Sequence, residues 1–324
     1  MAALARSALR YSARHEAAAS DSFSDHVIAG LSDTPKWLSA KYFYDVAGSA
    51  LFEEITRLPE YYPTRTELSI LERCARDIAG YIPLSAALVE FGTGSTKKAR
   101  IVIDAAPQLA AYVPVDISAT FLAQEATAVR RDIPWIAVLP VAADFTRDFE
   151  LPPQIRARPR VGFFPGSTIG NFEPEDAAEF LRQAGRVLGQ GATMIVGVDL
   201  IKDRAVLNAA YNDAAGVTAQ FNLNILTRMN SELGGNFDLL SFRHRAFYNV
   251  EQHRIEMHLE SLAAQTVTVA GRTFSLEKGE TIHTENSYKY TVDSFRALAR
   301  EAGWRWAATW TDEKNYFSVH ALRL

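Results

Sequence analysis

Ala86-Ala87-Leu88-Val89-Glu90-Phe91 runs directly into Gly92-Thr93-Gly94-Ser95-Thr96, after which Lys97 to Ala106 has the spacing of a helix. The apolar run is short and bounded by glycines, so it reads as a buried strand rather than a helix, and the glycines turn the chain from that strand into the helix. Strand, glycine turn and helix in that order are the opening unit of a parallel sheet. The same alternation continues downstream: a strand ending at Asp116, a helix from the cap Ser118 to about Arg131, and a strand from Trp135 to Ala142. Val161 to Phe164 is a further strand, Pro174 to Leu188 a helix, and Thr193 to Asp199 a strand. Strands alternating with helices give right-handed βαβ crossovers and hence a doubly wound α/β sheet.

The C-terminus departs from this pattern. Phe295 to Ala302 reads as a helix, and two aromatic-rich strands come after it, Trp304 to Trp310 and Tyr316 to Leu324, joined by Thr311 to Asn315 as a hairpin. A parallel sheet finished by an antiparallel hairpin is the ending of a Rossmann-like class I methyltransferase rather than of a dinucleotide dehydrogenase. Between Lys202 and Tyr290 the pattern changes to helical stretches (Arg204 to Phe221, Leu223 to Leu233) and strand-like runs (Arg254 to Leu259, Thr266 to Val269). That is too long for a loop and implies an inserted subdomain. The expected organisation is a methyltransferase domain of residues 63–201 and 291–324 and a substrate-binding subdomain of 21–62 and 202–290. Residues 1–20 form an extension, fraying or disordered; its Arg6, Arg10 and Arg14 precede any acid, a composition shared with transit peptides.

Composition narrows the function classes. The 324 residues are 48% hydrophobic, enough for a sizeable core, and a net charge of -4 with interspersed signs lacks the basic footprint that nucleic acid demands. Cys74 is the single cysteine, so no intramolecular disulfide forms. No apolar run approaches the roughly 18 to 20 residues that span a bilayer. The expectation is a cytoplasmic monomer that binds neither nucleic acid nor membrane.

In an open α/β sheet the ligand lies beyond the carboxyl ends of the strands, so the residues just after each strand matter. Glu90, Gly92 and Gly94 stand at the first such end, where small residues let backbone approach a cofactor and Glu90 engages it or braces the loop. Lys98, in the next helix, joins the cofactor-binding candidates. Asp116 closes the second strand, where a carboxylate accepts from ribose hydroxyls; that position also fits NAD. Asp144-Phe145 closes the third, with Asp144 placed to accept from an adenine amine and Phe145 to cover the base. Each has a plain alternative as a helix N-cap, since Asp and Ser after strands commonly start helices. Three in order point to an adenosine-bearing cofactor, and the absence of a Gly-Lys-Ser/Thr ending excludes a Walker A loop.

The fourth strand runs into Pro165-Gly166-Ser167-Thr168-Ile169-Gly170-Asn171-Phe172. With it stand Tyr42-Phe43-Tyr44-Asp45, Leu58-Pro59-Glu60-Tyr61-Tyr62-Pro63-Thr64-Arg65 and Tyr211-Asn212-Asp213-Ala214-Ala215-Gly216-Val217-Thr218. From about Lys41 to the C-terminus the chain resembles the histidine N-alpha-methyltransferases of ergothioneine biosynthesis. That resemblance implies three methyl transfers from S-adenosylmethionine to the α-amine of free L-histidine, through its mono- and dimethylated forms to hercynine, without a metal. It implies that Tyr61, Asn171 and Tyr211 hold the amine and carboxylate with Gly166 beside them, and that Tyr44 closes over the cofactor. It further implies that Glu285 and Ser287 grip the imidazole while Met257 lines that pocket. The pair makes chemical sense, because residues two apart on an extended segment face the same way and an imidazole presents two ring nitrogens. Relatives of this family methylate tryptophan derivatives, and a non-catalytic cofactor-binding module is the other alternative. Phe91-Gly92-Thr93 and His258 depart from the usual family residues. His244, His253 and His258 match no metal-ligand spacing and read as ordinary polar positions.

Overall fold

The computed structural model describes residues 22–324, apart from the side chain of Phe121. The expected N-terminal extension, residues 1–20, lies outside the described residues. In chain order come helices α1 (Phe23–Ser32), α2 (Val46–Ile55) and α3 (Tyr62–Ala79), then β1 (Ala87–Phe91), α4 (Lys97–Ala105), β2 (Ala111–Asp116) and α5 (Ala119–Asp132). Next are β3 (Ala137–Val138), β4 (Val141–Ala142), β5 (Arg160–Phe164), α6 (Pro174–Leu188) and β6 (Thr193–Asp199). Helices α7 (Arg204–Ala210) and α8 (Val217–Leu233) precede β7 (Phe242–Asn249), β8 (Arg254–Ser261), β9 (Gln265–Val269), β10 (Arg272–Leu276) and β11 (Thr281–Tyr288). Helix α9 (Val292–Glu301) and the strands β12 (Arg305–Thr311) and β13 (Phe317–Arg323) finish the chain. Contacts divide it into two units: residues up to Tyr62 with Asp203–Ser287, and Pro63–Lys202 with Tyr288–Leu324.

The second unit is built on one sheet with strand order β12-β13-β6-β5-β1-β2-β3, and β4 also pairs with β2. Strands β6 to β3 run parallel, whereas β13 is antiparallel to β6 and to β12. The last strand of the chain is therefore slotted between β6 and β12, the arrangement of a class I methyltransferase. The alternation of side chains splits each strand between two cores. Val89 and Phe91 join Phe164, Phe180 and Trp304 on one face, while Leu88 joins Ile70, Val102 and Phe163 on the other. Helix α6 matches its expected bounds because Pro174 begins it, Glu175 and Asp176 suit its first turn, and Gly189 at φ +82 ends it. Helix α9 starts earlier than expected, at Val292, because Thr291 and Ser294 form a reciprocal capping box.

Two expectations are corrected. The strand read from Trp135 to Ala142 is two short pieces on β2, since Pro140 between them has no N–H for the ladder. The helix read from Arg204 to Phe221 ends at Ala210, because Gly216 adopts φ +73 and the Asp213 carboxylate accepts the N–H groups of Val217 and Thr218, both at 2.8 Å.

The first unit holds the sheet β11-β8-β7 and the hairpin β9-β10. Strands β7 and β10 were not expected; β7 mixes charges and aromatics and is only partly buried, so no clean alternation marks it. Among the described residues, the segment before Tyr62 contributes no named strand, but Trp37 bridges to His283 in β11.

Candidate active site

In the second unit Glu90 is buried in β1, and the Tyr112 hydroxyl donates to its Oε2. Burial pushes the Glu90 carboxyl up to about 7, against the opposing effects of the Tyr112 hydrogen bond and the Lys98 charge. It is a carboxyl poised near neutrality. Gly92 has φ +72, and a Cβ there would stand 3.0 Å from the ring of Phe145, so glycine lets that ring close on the loop. A Cβ at Gly94 would meet no atom within 4 Å, so packing does not account for this glycine. The Phe145 ring packs edge-on against Phe164 and Phe180 at 5.8 and 5.9 Å.

Asp116 and Asp144 both accept short-range turn bonds from residues two positions on, and no helix follows Asp144 directly. Asp116 Oδ1 accepts the Ser118 N–H at 2.9 Å, and burial raises its carboxyl above the ordinary value. Asp144 Oδ1 accepts the N–H and hydroxyl of Thr146 at 2.9 and 2.6 Å. A carboxylate has two oxygens and about four acceptor sites, so one oxygen on a turn does not exclude a ligand on the other. Turn bonding and cofactor binding are compatible roles for such a carboxylate.

One residue of this unit was not anticipated. Glu67 on α3 is 1% exposed, lies 2.6 Å from Lys98 Nζ, and accepts the Gly166 N–H at 2.9 Å on both oxygens. It ties the helix after the first glycine loop to the turn after β5. A Cβ at Gly197 would lie 2.0 Å from Glu67 Oε1, so that glycine in β6 makes room for the carboxylate. A sequence signal existed, because Glu67 shares a helical stripe with buried Ile70 and Leu71. Gly166 has φ +83, and Ser167, also left-handed, accepts the Asp199 N–H at 2.9 Å. Asn171 ends the single 3-10 turn after it (Thr168–Asn171), and Gly170 presses on the Tyr288 backbone, where a Cβ would be 2.7 Å from the carbonyl oxygen.

In the first unit a chain of aromatic contacts brings together Tyr44, Tyr61 and Tyr211, and Tyr211 reaches Ser287. Tyr44 is pinned by its neighbour Asp45, whose Oδ1 accepts the Gly48 N–H at 2.7 Å and the Asn224 amide at 2.8 Å. Its ring lies 5.6 Å from Phe52 and from Phe221. Phe52 continues to Tyr61 at 6.2 Å, and Tyr61 to Tyr211 at 6.3 Å. The Tyr211 hydroxyl donates to Ser287 Oγ at 2.8 Å. Desolvation, then the charge of Glu285, then Tyr61 and Tyr211, hold the Tyr44 phenol well above its ordinary value. Tyr44 is nonetheless 43% exposed, so it is crowded by protein but reachable from solvent. Met257 is fully buried in β8.

Glu256, His258 and His283 bring ligand-type atoms within 4.8 Å of one another, a grouping the sequence spacing did not suggest. Their geometry is not that of a metal site. His258 and His283 stack at 4.6 Å and 16°, with Phe247 on the other side of His258 at 5.5 Å and 8°. A metal lies in the plane of each imidazole that binds it, and stacked rings share no such plane. Glu256 is also occupied, by Arg254 at 2.8 Å, Asn249 at 2.9 Å and His258 at 3.0 Å.

A family profile matches residues 23–324 and describes a histidine-specific, S-adenosylmethionine-dependent methyltransferase. This chain belongs to that family. Over 306 residues it is 40% identical to a histidine N-alpha-methyltransferase of Mycolicibacterium smegmatis, covering 93% of this chain and 94% of the relative. It is 30% identical over 309 residues to ergothioneine biosynthesis protein 1 of Neurospora crassa, covering 90% of this chain but 33% of that longer protein. A 4-dimethylallyltryptophan N-methyltransferase of Aspergillus fumigatus is 28% identical over 326 residues, 95% of this chain and 96% of the relative. Membership of the family makes S-adenosylmethionine the methyl donor.

Proposed function

We propose that this member of the histidine-specific methyltransferases converts free L-histidine to hercynine by three methyl transfers to the α-amine, a step toward ergothioneine. The observation that carries the choice of amino acid is the Tyr211–Ser287 hydroxyl pair, with Glu285 two residues away on β11. Ser287 accepts the Tyr211 hydrogen, and a serine hydroxyl is by its chemistry a donor as well as an acceptor. A neutral imidazole has one N–H and one bare nitrogen, which Glu285 and Ser287 match as acceptor and donor. An indole has an N–H and no acceptor, and a buried donor left unmatched costs about 1 to 3 kcal/mol.

In each transfer the amine lone pair forms the N–C bond to the sulfonium methyl while the S–C bond breaks, leaving S-adenosylhomocysteine. The α-amine of free histidine is largely protonated at neutral pH, so a proton leaves to solvent before each of the attacks that require it. The raised phenol of Tyr44 stays neutral at that pH; it passes a proton on but does not keep one. Tyr61, Asn171 and Tyr211 are assigned to the amine and carboxylate, Gly166 to substrate binding, and Met257 to the ring pocket. Position is the principal device. The third transfer leaves a fixed cation, which suits the aromatic faces of Tyr44 and Tyr61. For the cofactor, Glu90, Gly92, Gly94, Lys98, Asp116, Asp144 and Phe145 are assigned from the strand ends.

The reaction runs without a metal in this proposal, which the stacked rings and occupied carboxylate of the Glu256 cluster support. A cytoplasmic monomer that binds no nucleic acid completes it, in keeping with the net charge of -4. Among the described residues no helix is long and apolar enough to cross a membrane. The test is to incubate the enzyme with labelled S-adenosylmethionine and each of the twenty amino acids, and with 4-dimethylallyltryptophan, and to weigh the products. A gain of three methyls on histidine alone is expected. Transfer to the tryptophan derivative instead, or cofactor binding with no transfer, overturns the proposal.

A further inference from the structure

We infer that Asn222 is a positioning residue for histidine recognition, holding Tyr211, assigned to the amine and carboxylate, through His244 on one side and Thr284, the neighbour of the ring-gripping Glu285, on the other. This rests on the assignment of Tyr211, Glu285 and Ser287 to histidine. Asn222 lies in α8 and is 0% exposed. Its Nδ2 donates to the His258 carbonyl at 3.0 Å and lies 2.9 Å from His244 Nδ1, while its Oδ1 accepts the Thr284 hydroxyl at 2.7 Å.

The chemistry of each partner fixes the directions. A carbonyl oxygen only accepts, so His258 holds the amide with its nitrogen toward β7 and β8 and its oxygen toward β11. An amide nitrogen only donates, so His244 Nδ1 must accept, and the ring proton sits on Nε2. That N–H donates to the Tyr211 carbonyl at 2.8 Å. Burial lowers the His244 pKa, in keeping with a neutral ring. The Thr284 hydroxyl also lies 3.0 Å from the Met257 carbonyl.

One amide thereby reaches the end of α7, the middle of β8 and the part of β11 just before Glu285. Each of those places carries a recognition residue: Tyr211, Met257 and Glu285. An apolar side chain fills a core position without needing these partners, whereas a satisfied polar network specifies one arrangement of the segments it joins. Asn222 and Thr284 set where the clamp stands, and Glu285 and Ser287 do the gripping.

The full-length enzyme tests this with Thr284→Val, which keeps the side-chain shape and loses the hydroxyl, Thr284→Ser, which restores it, and Asn222→Asp. Histidine KM, kcat, S-adenosylmethionine affinity and melting temperature are measured for each. Thr284→Val and Asn222→Asp are expected to raise histidine KM about tenfold, as for one lost buried hydrogen bond. Cofactor affinity stays unchanged, and Thr284→Ser behaves as the parent enzyme. The inference is overturned by an unchanged histidine KM in folded Thr284→Val or Asn222→Asp, or by parallel losses of histidine and cofactor affinity that track the melting temperature. Glu285→Ala separates the two claims. If it leaves histidine KM intact, the recognition site itself is misassigned. If it abolishes histidine binding while the Asn222 and Thr284 variants do not affect it, the positioning role alone fails.

Discussion

Glu90 shows how a single carboxyl links the first strand to the behaviour of the protein. Its folded-state value, about 7, lies above the ordinary 4.5 because burial penalises the charged form. A group raised in this way stabilises the fold below its unfolded value, and that contribution is lost as the pH rises through about 7. For a side chain 1% exposed the loss is on the order of 3 kcal/mol. Glu90→Gln keeps the shape and removes the titration. In thermal unfolding without cofactor, the variant should therefore gain on the parent as pH rises from about 5 to about 8. A gap that does not change with pH would show that Glu90 is not the group responsible. Glu90, Asp116 and Asp144 could be singled out from sequence because the rule for strand ends needs only the order of elements. For Glu67 the helical stripe with Ile70 and Leu71 signals burial but not its role, since its partners Lys98 and Gly166 come from segments that only the folded sheet brings together.

The loop between α7 and α8 shows the limits of pattern at the scale of the element. Apolar spacing carries straight through Tyr211 to Phe221, yet the Asp213 carboxylate starts a new helix by accepting the Val217 and Thr218 N–H groups. Burial opposes ionisation of Asp213, but its hydrogen bonds from Thr218 and Val217 outweigh burial and hold the carboxyl below its ordinary value. A depressed carboxyl stabilises above its unfolded value and loses that effect as pH falls. Asp213→Ala should cost about 1 to 2 kcal/mol, as for other lost helix caps, read as a lower denaturation midpoint at neutral pH. The difference from the parent should shrink toward acid, and a constant difference would argue against the capping role. Pro140 makes the same point for strands: alternation predicts one strand where a missing N–H allows two short ones.

At the scale of the whole molecule, β13 carries most consequence. It lies between β6 and β12, and all of its residues except Arg323 are buried. Removing Phe317–Arg323 opens the sheet and exposes both neighbouring edges, so the truncated chain should fail to fold, measured as loss of cooperative thermal unfolding and aggregation on expression. A cooperative truncated protein would contradict the central place given to this strand. In the unit built on the large sheet, the alternation of strands with helices, the antiparallel finish and the strand-end carboxylates were determined by sequence alone, because they depend on local periodicity and turn chemistry. Gly92 and Gly94, between β1 and α4, also belong to that local level, and the structure added the reason for Gly92 in the ring of Phe145. Tertiary structure alone decided the Glu67 tie, the Phe247–His258–His283 stack and the Asn222 network. Each depends on the register of paired strands and the angle of a packed helix, which set side chains far apart in the chain within hydrogen-bonding distance and leave no trace in the spacing of the residues themselves.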